Sequence, residues 1–374
     1  MNEKRILIIG TGLSGAVMAE RFANINNRNI LMIEKRNHIG GNCYDYIDED
    51  TGILLNKYGA HLFHTNSDKV WNYINNLSEW IRWDHQVLCF VDNKFVPLPV
   101  NINTVNTVLN ENIKDEKEMD IWLHNNQIKY DNIDNSEKMG KSRVGNDLYN
   151  KLFKDYTYKQ WNKYPEELDP SILARIPVRN NFDNRYFSDK YQALPKYGYT
   201  NFIKKMLDHK NIEIKLNLDY LDFMKSNKEL FDIIIFTGPI DTFYYNNNLE
   251  KLEYRSINFE IEKIKNVNYY QPNSVVNYSS AEIPFTRIVE YKHFLNQKSK
   301  DTIIVKETTT NIGEPYYPVL NEKNINLFKK YKEFSKKDSN IHFLGRLANY
   351  KYFNMDEAIL NSLNYFDSNF KSSV

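Results

Sequence analysis

Short apolar runs recur at the beginning, the middle and the end of the chain. Ile6 to Ile9 and Ile30 to Ile33 are continuous apolar runs, a pattern typical of strands covered on both faces. Phe231 to Gly238 and Ile341 to Gly345 have the same form, and each ends in a glycine turn. Ala16 to Ala23, between the first two runs, has helical spacing. These runs predict parallel strands contributed by separate parts of the sequence.

The segments between these runs predict two further structural layers. Helical spacing covers residues 68–76, 105–127 and 144–160, and the polar stretch 125–141 predicts an exposed connection. Pro165, Pro170 and Pro177 then predict a change to extended structure. Alternating apolar and polar positions predict antiparallel strands over residues 258–264, 274–278 and 302–306.

The predicted fold class is therefore α/β with mixed α+β inserts, in three domains. A discontinuous Rossmann-like nucleotide-binding domain takes residues 1–84, 197–245 and 319–374. A small helical domain with a mobile loop takes residues 101–165. An antiparallel-sheet substrate domain takes residues 85–100, 166–196 and 246–318.

Composition excludes several function classes. The 374 residues carry 49 Lys and Arg against 48 Asp and Glu, and this balance argues against a partner with a polyanionic surface such as nucleic acid. No apolar run approaches the length of a membrane span, and Ile6 to Ile9 is too short for a signal-peptide core. Two cysteines make no disulfide framework, and we expect no metal site. We expect a cytoplasmic protein.

A G-x-G-x-x-G motif at Gly10, Gly12 and Gly15 follows the first predicted strand and opens the first helix. Gly10 permits a tight turn, Gly12 lets the backbone approach a pyrophosphate, and Gly15 allows close packing of helix and strand. Glu34, at the end of the next strand, is placed to accept hydrogen bonds from a ribose. NAD and FAD both use this motif.

Two later features favour FAD. The pair Gly40-Gly41, shortly after Glu34, and the late Gly345-Arg346 resemble the corresponding segments of glutathione-reductase-like FAD proteins.

The segment Tyr58 to Thr65 then places His61 and His64 three residues apart beside glycine and aromatic side chains. Without a third ligand at a matching interval, this pair does not predict a metal site.

Several blocks in the same order resemble the bacterial-type UDP-galactopyranose mutases over almost the whole chain. The blocks are residues 58–65, 153–161, 175–179, 184–192, 277–287, 314–318 and 345–352. The resemblance implies interconversion of UDP-galactopyranose and UDP-galactofuranose through a covalent reduced-flavin–sugar adduct. It also implies a homodimer with FAD as its cofactor.

Matched positions imply the roles of individual residues. Arg175 and Arg287 would bind the diphosphate, and His61 and His64 would lie against the flavin; these four are the predicted catalytic residues. The remaining substrate contacts would be made by His85, Phe153, Tyr156, Thr157, Trp161, Tyr186, Asn277, Tyr317 and Tyr352. FAD would be bound by Gly10, Gly12, Leu13, Ser14, Gly15, Glu34, Lys35, Gly41, Asn42, His61, Leu62, Arg346, Tyr352 and Met355.

The chain departs from the family pattern at a few positions. Leu152 stands where Phe is usual, Asn162 where Gly is common, and Asn354 where an Asp lies near the flavin. Lys196-Tyr197-Gly198 replaces a turn that is richer in glycine. Three alternatives stay open at this point: an FAD-dependent oxidase or desaturase, a non-catalytic protein that binds FAD and a nucleotide-sugar, and a mutase for a modified galactose.

Overall fold

A computed structural model describes residues 5–227, 231–246 and 248–371. The outer limits of the predicted FAD-binding domain, residues 1–4 and 372–374, lie outside the described residues. The strands are, in chain order, β1 (Arg5–Ile9), β2 (Ile30–Ile33), β3 (Asp45–Ile47), β4 (Leu54–Asn56), β5 (Phe63–Thr65), β6 (Trp80–Arg82), β7 (Val87–Val91), β8 (Lys94–Leu98), β9 (Tyr191–Pro195), β10 (Ile212–Lys215), β11 (Phe231–Phe236), β12 (Tyr254–Ile264), β13 (Val275–Tyr278), β14 (Arg287–Glu290), β15 (Thr302–Thr310), β16 (Tyr317–Pro318) and β17 (Ile341–Phe343).

The helices are named in the same way. In chain order they are α1 (Leu13–Asn24), α2 (Asp68–Asn75), α3 (Ile102–Leu109), α4 (Glu116–Asn126), α5 (Ser136–Leu148), α6 (Asp155–Trp161), α7 (Ser171–Ala174), α8 (Tyr199–Leu207), α9 (Tyr220–Ser226), α10 (Ile240–Phe243), α11 (Glu322–Ser335) and α12 (Met355–Asn369). A π-helical turn, Tyr149–Lys154, joins α5 to α6. Short 3₁₀ turns occur at Gly41–Cys43, Pro165–Glu167 and Tyr291–Asn296. In the described part of the chain, no helix is both long and apolar enough to cross a membrane.

A parallel sheet forms the dinucleotide-binding layer in the strand order β10-β2-β1-β11-β17. Every pair in it is parallel, so the apolar runs from the two ends and the middle of the sequence meet in one sheet, as predicted. Side chains of β1 point to two apolar clusters, and Ile6, Leu7 and Ile8 are fully buried. Helices α1 and α12 cover one face, where the rings of Phe22 and Phe366 pack 5.2 Å apart.

A seven-stranded sheet has the order β16-β12-β15-β14-β13-β7-β8. Its pairs are antiparallel except β13 with β7, which run parallel with Asn277 opposite Cys89. The strand β9 does not join this sheet but lies between β5 and β6 in a smaller antiparallel sheet. Residues of the segment 166–196, predicted for the substrate domain, therefore form a sheet with residues of the first predicted segment, 1–84. The domain boundaries themselves stay a prediction.

Three predictions for the helical part were wrong in detail. The stretch 105–127 is two helices, because Asn110 ends α3 in a left-handed conformation and the Asp115 side chain caps α4. The stretch predicted as an exposed connection becomes helical at Ser136, which is buried, because the Asn135 side chain accepts a hydrogen bond from Lys138 N. After Pro165 the chain first makes a 3₁₀ turn and α7, since proline is well tolerated in the first turn of a helix.

Candidate active site

The first cavity, here called the dinucleotide cavity, lies at the carboxyl ends of β1, β2 and β11 and measures about 320 Å³. Gly10 has φ +102°, and a Cβ there would lie 2.1 Å from Thr237 Oγ1. Gly41 has φ +55°, and its Cβ would lie 2.8 Å from Gly12 Cα. Gly12 directly precedes α1, whose first N–H groups favour an anionic ligand. The backbone thus forms a cradle that any larger residue would fill, and this cradle fits a dinucleotide.

Glu34 lines the same cavity and is almost fully buried. Its carboxylate accepts hydrogen bonds from Thr11 N at 3.0 Å, from Thr11 Oγ1 at 2.9 Å and from Arg36 N at 3.1 Å. These bonds orient the carboxylate, and two oxygens with about four acceptor sites leave capacity for a ligand hydroxyl. The arrangement is the one expected for an acid that binds a ribose.

Most predicted cofactor residues line the dinucleotide cavity: Gly10, Gly12, Leu13, Ser14, Glu34, Lys35, Gly41, Asn42, His61, Arg346 and Met355. Gly15 instead lies beneath the turn, where an added Cβ would sit 2.1 Å from the Gly10 carbonyl oxygen. Its role is the predicted one of close helix–strand packing. Leu62 and Tyr352 line the second cavity described below.

Sequence reasoning missed several residues of this cavity, among them those of two short segments. Residues 218–221, which end the connection after β10 and begin α9, form one part of the lining. Thr237 and Gly238, directly after β11, form another. The second could have been found from the predicted strand that ends at Gly238, because ligands of such sheets bind at the carboxyl ends of the strands. The first carries no motif.

The second cavity contains Arg175, Arg287 and Arg346 and is here called the arginine cavity; it measures about 240 Å³. It brings together the predicted residues His61, His64, His85, Phe153, Tyr156, Arg175, Tyr186, Asn277, Arg287, Tyr317 and Tyr352. Thr157 and Trp161 line a smaller adjoining pocket of about 50 Å³, which also includes Tyr156 and both Arg175 and Arg287. Every predicted substrate residue therefore lies in one connected region.

The two cavities share part of their walls. The shared residues are Asn42, His61, Arg346, Asn354 and Met355. A ligand in one cavity can therefore contact a ligand in the other. This junction is the place where a cofactor and a substrate would meet.

A pair of stacked tyrosines lies at the centre of the arginine cavity. The rings of Tyr317 and Tyr352 are 5.5 Å apart and nearly parallel. The Arg175 guanidinium lies 4.3 Å from the Tyr352 ring centre, and that of Arg346 lies 4.9 Å from it. Cations over aromatic faces at these distances are held in fixed positions without a carboxylate partner. Arg346 is held further by the Phe353 carbonyl oxygen, to which its Nε and Nη2 donate, so its Nη1 stays available to an anion.

These charges change the acidity of the tyrosine. Burial alone would raise the pKa of Tyr352, but the guanidiniums of Arg175 and Arg346 outweigh it and lower the pKa to about 8. Burial would likewise lower the pKa of Arg175, whereas its interaction with Tyr352 raises it above the ordinary value. A phenol that ionises near neutral pH and a permanently charged guanidinium mark a strongly positive site.

Arg287, the first residue of β14, lines the arginine cavity. Among the described residues, it is the one arginine of the three that contacts a carboxylate. Its Nε lies 3.1 Å from Oε2 of Glu307, which sits opposite on β15 and is almost fully buried. Burial raises the pKa of Glu307, and Arg287 opposes this shift. The carboxylate orients Arg287, and three guanidiniums with one carboxylate leave the cluster positive.

His61 lines both cavities and is uncharged at neutral pH. Burial lowers its pKa to about 4, although the hydrogen bond to the Gly59 carbonyl opposes the shift. The His61 Nδ1 lies 2.7 Å from the Gly59 carbonyl oxygen, so Nδ1 carries the hydrogen and donates it. The ring nitrogen Nε2 is then an acceptor.

The other two histidines of the arginine cavity are held by aromatic neighbours. The His64 ring stacks on Phe187 at 3.7 Å, and its Nδ1 lies 3.1 Å from Asp189 Oδ2. His85 is buried, and burial lowers its pKa to about 3. Trp83 Nε1 donates to His85 Nδ1 at 3.4 Å, so the hydrogen of the neutral His85 ring is on Nε2.

Helix α6 closes one side of the site. Its last residue, Trp161, is 3% exposed and packs against Leu168 and Ile172, with its ring 6.2 Å from that of Tyr317. Burial raises the pKa of Tyr156 on the same helix to about 12, so its hydroxyl stays protonated and can donate. The predicted loop residue Trp161 is therefore buried beside the small pocket that adjoins the arginine cavity.

Two arginines outside both cavities, Arg179 and Arg255, are structural. Arg179 donates to the carbonyl oxygens of Asp183 and Phe187, each at 3.2 Å, and to that of Arg185. Arg255 donates to the Gln160 carbonyl oxygen at the end of α6 at 3.1 Å. Neither lines one of the two cavities.

The departures from the family pattern are placed as follows. Leu152 is buried and lines the arginine cavity, and Asn354 lines both cavities. Asn162 ends α6 with φ +53°, a conformation that asparagine tolerates. In the turn 196–198 the glycine that is required is kept, because a Cβ at Gly198 would lie 2.7 Å from Asp45 Oδ2.

Among the described residues, no group of three or more His, Cys, Asp or Glu could hold a metal ion.

Known proteins resemble this chain both in the nucleotide-binding segment and in the segment that carries most of the arginine cavity. A family model described as UDP-galactopyranose mutase matches residues 151–352, and one described as an NAD(P)-binding Rossmann-like domain matches residues 8–77. A protein of Klebsiella pneumoniae named as a probable UDP-galactopyranose mutase is 36% identical over 100% of this chain and 96% of its own. A dTDP-fucopyranose mutase of Escherichia coli is 33% identical over 96% of both chains.

A solved structure has the same fold. The crystal structure of a reduced UDP-galactopyranose mutase superimposes with a TM-score of 0.79, covering 97% of this chain and 95% of that one. Its sequence identity of 15% means that this match describes the fold alone.

Proposed function

Because the chain belongs to the UDP-galactopyranose mutase family, we propose that it interconverts UDP-galactopyranose and UDP-galactofuranose with reduced FAD as its cofactor. The observation that carries this proposal is the cluster of three arginines around the stacked pair Tyr317 and Tyr352, next to the shared wall of the two cavities. This cluster would form an anion site beside the end of a cofactor bound in the dinucleotide cavity.

The arginine cluster is suited to a diphosphate. Arg175 and Arg346 have no carboxylate partner among the described residues, and their planar guanidiniums match phosphate oxygens in pairs. With Arg287 and Glu307 included, two net positive charges face a diphosphate. Charge that develops on the leaving diphosphate would be stabilised by groups that are already in position.

The neighbouring aromatic residues are suited to the rest of the nucleotide-sugar. Tyr156, Thr157 and Phe153, on α6 and the π-helical turn, would contact the pyrimidine and its ribose. Asn277 is 8% exposed, and its Oδ1 accepts no hydrogen bond within the described residues. We assign this oxygen, with His85, to the hydroxyls of the sugar.

Reduced FAD would supply a nucleophilic ring nitrogen at the anomeric carbon, so that the bond to the diphosphate is broken and the ring can close in its other size. The chain's own residues prepare this chemistry. Neutral His61 would offer Nε2 as an acceptor for an N–H of the reduced cofactor. Buried Trp161 on α6 would exclude water while the sugar is open.

The test is a chromatographic assay of the FAD-loaded protein with UDP-galactofuranose, with and without dithionite. Conversion to the pyranose form in the reduced state alone supports the proposal and contradicts both the oxidase and the binding-only alternatives. A flavin-loaded protein that leaves the sugar unchanged in both states contradicts it for this sugar. Parallel assays use dTDP-fucofuranose and N-acetylated UDP-galactofuranose, because one relative is named a dTDP-fucopyranose mutase and sugar specificity is a separate question.

A homodimer and a cytoplasmic location are part of the same proposal. Sedimentation equilibrium of the holoprotein tests the first, and a mass of twice 44.5 kDa is the expected result. Cell fractionation tests the second.

A further inference from the structure

An ammonium group outside the two cavities is held in an unusual environment. Lys159, on α6, sends its Nζ into the loop between β13 and β14. There the carbonyl oxygens of Tyr278 at 2.7 Å, Ser280 at 2.8 Å, Ile283 at 2.9 Å and Phe285 at 3.1 Å all lie within hydrogen-bond distance, so the three hydrogens of the ammonium group are shared among four acceptors. Four carbonyl dipoles converge on one cation, an arrangement otherwise found where proteins bind free cations.

The other end of the same residue is also fixed. The Lys159 carbonyl oxygen accepts hydrogen bonds from Thr309 Oγ1 and, at 3.4 Å, from Arg255 Nη2. Arg255 also donates to the next carbonyl, that of Gln160. The carboxyl end of α6 is thus attached to β12 and β15 by its backbone and to the β13–β14 loop by the Lys159 side chain.

The elements joined in this way carry side chains of the proposed substrate site. Helix α6 carries Tyr156, Thr157 and Trp161, which line the pocket beside the arginine cavity. The loop is flanked by Asn277 on β13 and Arg287 on β14, and both line the arginine cavity. The contacts of Lys159 with these carbonyl groups therefore connect the proposed base-binding side of the site with its proposed sugar-binding and diphosphate-binding side.

We propose that Lys159 is a positioning residue that couples α6 to the strand carrying Arg287, and that residues 278–285 form a cage for a primary ammonium group. The coupling to substrate rests on the proposed function; the cage does not. Without an ammonium group the four carbonyls repel one another, the loop relaxes, and Arg287 and Asn277 lose their position.

The experiment uses the FAD-loaded protein with Lys159→Ala and a matched control, Lys154→Ala, on an exposed side chain just before α6. Lys159→Ala leaves space for three carbons and one nitrogen, so n-propylammonium chloride is the rescuing probe. Tetramethylammonium chloride at the same concentration is the control cation, because it has the charge but no N–H. The melting temperature and the Kd of UDP by calorimetry are measured for each protein with each salt.

We expect Lys159→Ala to lower the melting temperature and to weaken UDP binding about tenfold, since small displacements of binding groups are costly. Propylammonium restores both quantities at least in part, and tetramethylammonium restores neither. Lys154→Ala stays within twofold of the unchanged protein. The KM for the sugar nucleotide rises with the Kd, whereas kcat changes less.

If Lys159→Ala folds and binds UDP as tightly as the unchanged protein, the proposed coupling is wrong. If it loses stability and UDP affinity but propylammonium restores neither, the proposed ammonium cage is wrong. If Lys159→Ala does not fold, Lys159→Gln takes its place, and it must weaken UDP binding about threefold with an unchanged near-ultraviolet circular dichroism spectrum. Normal UDP affinity in the Lys159→Gln protein would contradict the proposal. Rescue of the melting temperature needs no turnover, so failure of the mutase assay leaves this test intact.

Discussion

The dinucleotide cavity and the arginine cavity are built in different ways. The first is made largely of backbone: the turn after β1 packs against the turn after β2, and a Cβ on Gly10 or Gly41 would lie within 3 Å of a neighbouring atom. The second is made of side chains from separate elements: Arg175 follows α7, Arg287 begins β14, and Tyr352 precedes α12. A backbone site depends on conformation, whereas a side-chain site depends on charge and on the packing of whole elements.

This difference predicts what a substitution in each cavity removes. A change of charge in the arginine cavity leaves the fold intact and removes stabilisation of the transition state. A change of shape in the dinucleotide cavity removes the cofactor, and activity is lost as a consequence. The variants below separate these two kinds of failure.

Arg175→Ala has the largest expected effect. It removes a guanidinium that stacks on Tyr352 and whose donors face the proposed diphosphate, and we expect kcat/KM to fall about 1,000-fold. Flavin content and the melting temperature stay close to those of the unchanged protein. Arg185→Ala, at an exposed arginine paired with Asp183, is the control and keeps its activity. Less than a tenfold loss in Arg175→Ala would mean that the diphosphate binds elsewhere.

Gly41→Ala tests the dinucleotide cavity. The new methyl group lies 2.8 Å from Gly12 Cα, and the backbone shift needed costs about 2 kcal/mol, equivalent to about 30-fold in flavin affinity. Gly52→Ala is the matched control, because Gly52 has a similar φ of +69° but no atom within 4 Å of an added Cβ. The ratio of flavin to protein absorbance measures the outcome. Equal flavin content in the two variants would show that the close approach is not needed.

The ionisation of Tyr352 gives a pH dependence that belongs to the arginine cavity alone. Its pKa of about 8 means that the phenol is neutral at pH 7 and becomes a phenolate as the pH rises, which repels a diphosphate. We expect the Kd of UDP to rise about tenfold between pH 7 and pH 9, a range in which the terminal phosphate is already ionised. Tyr352→Phe should abolish this rise. The same pH dependence in both proteins would assign it to another group.

Asn162→Gly has the smallest expected effect. Asn162 has φ +53° at the end of α6, and glycine in this conformation stabilises the protein by less than about 1 kcal/mol. Asn266→Gly, at a turn with φ +56°, is the matched control. Because Lys159 and Arg255 hold the end of α6, turnover should change less than twofold in either variant. A larger increase in kcat for Asn162→Gly alone would show that this residue limits opening of the site.

The same contrast explains what the sequence predicted well. The parallel sheet and its glycine turn are local patterns, so Ile6 to Ile9, Gly10 and Glu34 could be placed from a single sequence. The arginine cavity has no local pattern, and its residues were identified by resemblance to a family; their roles stay predictions. Lys159 carried no signal in the sequence, since its partners are carbonyl groups of a loop more than a hundred residues away. The break between α3 and α4 was missed although Asn110 and Asp115 are residues that end and begin helices.

The central claim is that the two cavities form one reaction site that joins at His61 and Arg346. The most direct test is a titration of the FAD-loaded protein with UDP, followed by flavin absorbance and by calorimetry in parallel. The account predicts a saturable change in the flavin spectrum with the same Kd as the calorimetric value, and the loss of both signals in Arg175→Ala. Stoichiometric binding of UDP that leaves the flavin spectrum unchanged would contradict it.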